Sequence, residues 1–419
     1  MRLVARGFMA GAMLAAFTLS ISLHAQEFKV GSKTVQVHGF GTQGFIHTND
    51  NNWLTMNTSN IGSGAFTDMG LNMVMQINPK LRIGGQFYDR KLGKLGAWQP
   101  LMDWAMMDYR VKPWLGFRVG KVKTVLGLYT DTQDMDFANT FALMPQSVYP
   151  IDLRDSTIAH EGGDIYGQER LPHHLGAIAY TAYGGRRADS MHSGYPYYLA
   201  ATYGINLTSL GGAIYGGDLR WKAPVRGLTV GASRLNEMIT GIGTMAIPLG
   251  PPGTPPVVLP YKEYSIQDWT NQFYGQLIRD RFHVEAEDKR YYRDQQVAPN
   301  GIPGVPTPEI ISDVRGWYVS GGYRVNKWLE AGSYFSHYKI YPAIYGFSNG
   351  PQPDAATHDN DKVVTARFTL NRFTTVKVEG HFMAGYGNST NPDGFYTKVN
   401  PHGFADNTNA LVIKTGFNF

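Results

Sequence analysis

The chain contains no cysteine, which excludes disulfides, thiolate metal sites and cysteine nucleophiles. Beyond the first 25 residues it also lacks any apolar run near the roughly 18 residues that a membrane-crossing helix needs, and its mean hydropathy is −0.26. Basic runs interleaved with aromatics are missing too, so a pI near 9.0 gives no reason to expect nucleic acid. Net charge is small: it falls from +5 to +3 once Arg2 and Arg6 are removed with the N-terminal segment.

That segment is the first positive feature. Arg2 and Arg6 precede an apolar stretch from Phe8 to Leu23, and Leu23-His24-Ala25 stands before Gln26. This is the pattern of a secretory signal peptide cleaved near Ala25, which leaves residues 26–419 as one exported domain. The exported part is rich in glycine (49 residues in the whole chain) and tyrosine (25).

Apolar and polar residues alternate with period two in segment after segment. In the last nine residues Leu411, Ile413, Thr415, Phe417 and Phe419 share one face, against Val412, Lys414, Gly416 and Asn418. About sixteen such segments are predicted as strands, from 33–47 to 409–419, among them 114–126, 210–222, 227–239, 264–277 and 282–292. Short polar turns, such as Asn78-Pro79-Lys80 and Lys112-Pro113-Trp114, alternate with long connections rich in Gly, Pro, Asn and Asp. The longest proline cluster, between Pro248 and Pro260, is read as denying donors to any sheet. Tyr195–Tyr203, inside the connection 185–210, also reads as strand-like. Long connections at one end and short turns at the other suit a transmembrane antiparallel β-barrel of all-β class. An even strand number returns the C-terminus to its starting side.

The faces have different chemistry. Trp317, Val319, Tyr323, Val376, Val378 and Phe382 are expected to meet lipid or a neighbouring subunit. The opposite faces carry Arg82, Arg90, Arg110, Arg118, Arg220, Lys289, Arg324, Arg367, Lys377 and Lys414, with Asp108, Asp218, Glu285, Glu287, Glu330 and Glu379. A Lys or Arg facing lipid at mid-depth costs about 2–4 kcal/mol, so these side chains are assigned to a wet interior, where many could simply pair across strands. The connection 127–155 is acidic at its start (Asp131, Asp134, Asp136) and apolar in its middle. Folded inward, it would narrow the lumen with its carboxylates toward the basic wall; a surface or subunit-contact loop is the other reading.

The stretches Gly127–Phe137, Leu143–Tyr149 and Gly162–Tyr166, with the terminal Phe, resemble the third-loop region of Gram-negative outer-membrane porins. The resemblance implies a sixteen-stranded barrel, usually a homotrimer in outer-membrane lipid and lipopolysaccharide, with this loop as constriction and no cofactor. It also implies passive diffusion of small hydrophilic solutes or ions, and Phe417 and Phe419 as the signal for the barrel-assembly machinery. Asp131, Asp134, Asp136 and the basic residues Arg82, Arg110, Arg118, Arg220, Arg324, Arg367 and Lys377 are the candidate selectivity residues. A substrate-specific channel for a small anionic nutrient, using Tyr129, Arg110, Arg118 and Lys377, is the alternative. An enzyme is not expected: Ser147 and His160 are available to a hydrolase, but no spacing ties them together. The Gly39–Gly44 match to a nucleotide loop lies inside a strand with no helix after it. Neither His173-His174 nor Asn49–Asn52 completes a metal set.

Overall fold

The computed structural model describes residues 26–96, 98–248, 250–251, 253–299, 309–342, 353–387 and 394–419. The expected signal peptide, 1–25, lies outside them. The strands are β1 (Gln26–Val30), β2 (Lys33–Thr48), β3 (Ser63–Asn78), β4 (Leu81–Leu92), β5 (Leu101–Lys112), β6 (Leu115–Lys123), β7 (Ala159–Arg170), β8 (Ala177–Ala188) and β9 (Ile205–Lys222). They continue with β10 (Leu228–Ile247), β11 (Val257–Arg279), β12 (Phe282–Pro299), β13 (Glu309–Arg324), β14 (Leu329–Pro342), β15 (His358–Thr369), β16 (Thr374–Gly385) and β17 (Asn407–Asn418). From β2 to β17 each strand pairs antiparallel with the next, and β17 pairs with β2 from Ala410↔Thr48 to Asn418↔Phe40. The sixteen strands therefore close into a barrel, which leaves no free sheet edge around the wall.

The alternation seen in the sequence is the inside–outside alternation of the wall. On β17 Leu411, Ile413 and Phe417 are exposed outward, while Val412 and Lys414 are buried inward. Trp317, Val319 and Tyr323 on β13 and Val378 and Phe382 on β16 also face out. An inward residue without a side chain is covered by the residue across from it: Phe66 pairs with Gly44 and lays its ring over it, the aromatic cover that keeps a glycine from weakening a strand.

Several local expectations change. β1 was not anticipated. It forms a hairpin on β2, from Gln26↔Val37 to Val30↔Lys33, along the part of the β2 edge that β17 does not reach. Phe419 fills the gap between them, exchanging backbone hydrogen bonds of 3.2 and 2.9 Å with Gly39 and placing its ring where a side chain at 39 would stand. Segment 114–126 ends as a strand at Lys123, because the chain there turns inward. Tyr195–Tyr203 belongs to helix α1 (Gly194–Tyr203) rather than a strand, closed by Gly204 at φ 67°, the left-handed cap glycine favours. Strands β10 and β11 run on into the proline-rich connection, and Pro260 pairs with Thr244. It lies beyond Tyr261, the last β11 residue in that direction paired to β12; among the described residues nothing pairs with that edge, and a missing donor is tolerated there. β11 has 23 residues and β6 has 9, against about 9–11 for a spanning strand. The wall is thus tall around β9–β13 and low around β4–β7.

Candidate pore and its internal loop

Residues 124–158, between β6 and β7, are held against the inner wall, and the wall supplies what their backbone lacks. A buried loop needs partners for its peptide groups. The carboxylate of Glu379 accepts the N–H groups of Ala142 (2.9 Å) and Leu143 (3.0 Å). Glu287 accepts Leu128 N–H (3.0 Å) and the hydroxyls of Tyr149 and Tyr318 (both 2.6 Å). Cations serve the carbonyls: Lys377 donates to Asp136 O and Phe141 O, Arg367 to Phe137 O, Lys289 to Val148 O and Arg220 to Gly127 O, at 2.6–2.9 Å. Much of the inward charge therefore holds the loop.

The acidic residues differ among themselves. Asp136 lies 3.1 Å from Lys377 Nζ and 3.0 Å from Lys414 Nζ, all three buried. Asp134 lies 3.2 Å from Lys123 and 3.4 Å from Arg154, and accepts from Gln86 (2.6 Å). Asp131 is half-buried, and Lys123 reaches its backbone carbonyl (2.7 Å). Of the basic candidates only Lys377 pairs with one of these carboxylate groups; the other partners are Lys414 of β17, Lys123 of β6 and Arg154 from the loop itself. Arg154, missed in the sequence, is the centre of the second anchor. It forks onto Asp103 (3.0 and 2.8 Å), stacks 3.8 Å from the Tyr88 ring centroid and is almost fully buried. A planar, five-donor cation suits that combination. Arg90 beside it holds Ile151 O (2.6 Å) and Asp155 (3.0 Å).

The remaining candidate arginines pair with wall carboxylates: Arg82 with Asp108 (2.7 Å), Arg118 with Asp164 (2.8 Å) and Arg220 with Asp218 (2.8 Å). Arg110 and Arg118 stand 5.8 and 4.7 Å from the Tyr166 ring centroid, and the Tyr166 hydroxyl donates to Asp108 (2.5 Å). Arg324 is exposed at the short-turn end, in register with Glu330. Along β12–β15 the inner surface carries Glu285, His283 and Glu330, with Arg367 3.8 Å from Glu330.

Toward the long-loop end the interior is apolar, which the alternation pattern concealed. Leu143 packs with Trp53 and Leu54 of the β2–β3 connection, Phe395 of the β16–β17 connection, and the inward wall residues Ile46, Phe66 and Val412. Val412 thus faces a packed loop cluster, not water. Full burial of a side chain like Leu143 stabilises by about 1.5–3 kcal/mol. Tyr396 donates to Asp152, which joins this cluster to the end of the internal loop. His381, buried between Asp361 (2.7 Å) and Glu379 (3.0 Å), fixes the carboxylate that grips residues 142–143.

These contacts have a pH signature. Burial raises the Asp136 carboxyl, but Lys377 and Lys414 outweigh it, and the group is held below the ordinary carboxylate range. Lys123 and Arg154 do the same for Asp134. A depressed value means the anchoring is fully present above the released-loop value of about 4 and is lost as pH falls through the lower, anchored value. Asp152 has the opposite sign: burial raises it, so its protonation on acidification does not release the loop. Hydrogen exchange at residues 134–143 should therefore stay protected at pH 5 and open only below pH ~4; protection lost between pH 6 and 5 would contradict this account.

Ser147 and His160 are engaged separately. Ser147 Oγ meets Ser336 Oγ (2.7 Å), and His160 Nδ1 lies 3.0 Å from Thr124 Oγ1.

A closed sixteen-strand wall, apolar outside and charged inside, is the architecture of a transmembrane β-barrel. No protein-family model and no curated protein matches the sequence. Solved structures do. The chain is similar to OmpF of Salmonella typhi in complex with daunomycin, at 12% identity over 94% of this chain and 100% of that one, with a TM-score of 0.55. It is similar to the anion-selective porin from Comamonas acidovorans (10% identity, 93% and 100% covered, TM-score 0.54). A third is the outer membrane channel DcaP of Acinetobacter baumannii (12%, 95% and 100%, 0.52). At these identities the likeness is one of fold: the chain has the architecture of outer-membrane porins and channels.

Proposed function

We propose that the protein is a non-enzymatic porin, through which small hydrophilic solutes or ions diffuse passively past the loop 127–155. The supporting observation is the loop's attachment to inward side chains of the wall from β9 to β17. The loop also holds on to β4 and β5 through Tyr88 and Asp103, so the less covered part of the lumen is the inner face of β4–β6 nearer the short turns, with Arg82, Arg110 and Arg118. The solute would pass between these arginines and Tyr129, Asp131 and Glu285. The long loops would face outward from the cell and the short turns the periplasm.

Planar-bilayer recording of the purified protein should give stepwise, ohmic conductance with weak ion selectivity; absence of steps would refute the porin reading. A channel for one anionic nutrient is the second reading, favoured by the paired guanidinium groups on the Tyr166 ring and by the half-exposed Arg82. Conductance that saturates with one anion and is competed by its analogues would favour it. Lys377 leaves that residue set, since it is fully buried on Asp136. We also propose export with cleavage near Ala25 and assembly read from Phe417 and Phe419. Homotrimeric association belongs to the same reading: OmpT of Vibrio cholerae, similar at a TM-score of 0.51, was solved in a trimer form.

A further inference from the structure

On the outer wall, across β14–β17, lies a depression of about 590 Å³ lined by Phe335, Asn360, Lys362, Phe382, Asn407 and Asn409. Lys362 is its one cation, and no carboxylate lines it. In the cross-strand row Phe335↔Lys362↔Phe382↔Asn409 the lysine stands between two phenylalanines. It is exposed, and among the described residues it has no hydrogen bond or ion pair. Asn360 is oriented by His337 Nδ1, 2.6 Å from its Oδ1. On the short-turn side the same face continues as Val364 and Leu411, one cross-strand row below the lysine and both exposed and apolar.

Lys362 is seven residues from Thr369, where β15 ends at the short turns. With about 3.3 Å rise per residue and a tilt near 40°, that is ~18 Å up an apolar band ~25 Å tall. A cation there is costly without a counter-charge, and its stem can lie along the phenylalanines while the ammonium reaches upward. The depression thus has a cationic, amide-rich upper part and an apolar lower part open to the acyl-chain region.

We infer that this depression binds the phosphate of a membrane lipid, with Lys362 as counter-ion, the three asparagines as hydrogen-bonding groups and the lipid's chains running over Val364 and Leu411. The site depends on the barrel's place in the membrane and is independent of conduction.

The full-length barrel in non-ionic micelles should retain dioleoyl phosphatidylglycerol in native mass spectrometry and retain dioleoylglycerol, which lacks the phosphate, far less. Lys362→Gln should lower phosphatidylglycerol occupancy at least 5-fold and Lys362→Arg should restore it, with heat-modifiability and single-channel conductance unchanged in both. Equal retention of the two lipids by the unmodified protein, or undiminished retention by Lys362→Gln, would overturn the site. Displacement by millimolar glycerol phosphate would show a free-anion site and overturn the lipid assignment. Occlusion of Lys362 between subunits, seen as protection from amine labelling only in an oligomer without bound lipid, would overturn it as well.

Discussion

Asp136→Ala should release the internal loop and raise single-channel conductance. The substitution removes the carboxylate shared by Lys377 and Lys414 and leaves two buried ammonium groups without it. Breaking a buried pair by deleting one partner costs about 3–5 kcal/mol, because the remaining charge is stranded. Spent on the anchored loop rather than on the whole barrel, even 3 kcal/mol shifts the anchored-to-released ratio by ~100-fold. Hydrogen exchange at residues 134–143 and limited proteolysis within the loop should rise accordingly, while the barrel keeps its resistance to detergent and heat. Lys377→Met with Asp136→Ala should recover part of the loss, since one stranded charge is then replaced by a side chain of similar length. A conductance and exchange pattern unchanged in Asp136→Ala would show that the loop is held without this carboxylate, by its other contacts to the wall.

Arg154→Ala should loosen the opposite end of the loop by a comparable amount. It strands Asp103, leaves Asp134 with Lys123 and Gln86 alone, and removes the stacked contact on Tyr88. The two anchors lie on different walls, Asp136 against β16–β17 and Arg154 against β4–β5, and they join through the short segment carrying Asp134 and Asp136. A double-mutant cycle on loop exchange separates the cases. Additive effects within ~0.5 kcal/mol mean independent anchors, and a smaller combined effect means that losing either one already frees the loop. Arg154→Lys should not rescue fully, because a single ammonium cannot fork onto Asp103 and stack on Tyr88 together. Full rescue by lysine would sink the stacked, bidentate account.

Both predictions turn on residues whose roles were unevenly visible in the sequence. Asp134 and Asp136 stood out as carboxylates in an otherwise apolar connection, and Lys377 and Lys414 as cations on inward faces. The meeting of Asp136 with Lys377 joins positions 241 residues apart, and nothing local encodes that. Arg154 was lost among the charges after the loop, although an arginine between Asp152 and Asp155 at the end of a buried segment is a recognisable signal. Among the wall arginines, Arg82, Arg118 and Arg220 pair with carboxylates of their own or adjacent strands, as short cross-strand distances favour.

By itself the sequence determined the class of fold, since period-two alternation, strand spacing and the two kinds of connection are local properties that survive reading one segment at a time. Leu411 to Phe419 already showed which residues face out. Only the tertiary structure decided what lies on the other side of the wall. Val412 and Lys414 have the same inward orientation, yet one packs under an apolar loop cluster and the other grips Asp136. That difference is set by which distant connection folds over each position, a matter of closure and long-range packing. It determines whether an inward charge lines water or holds a loop in place.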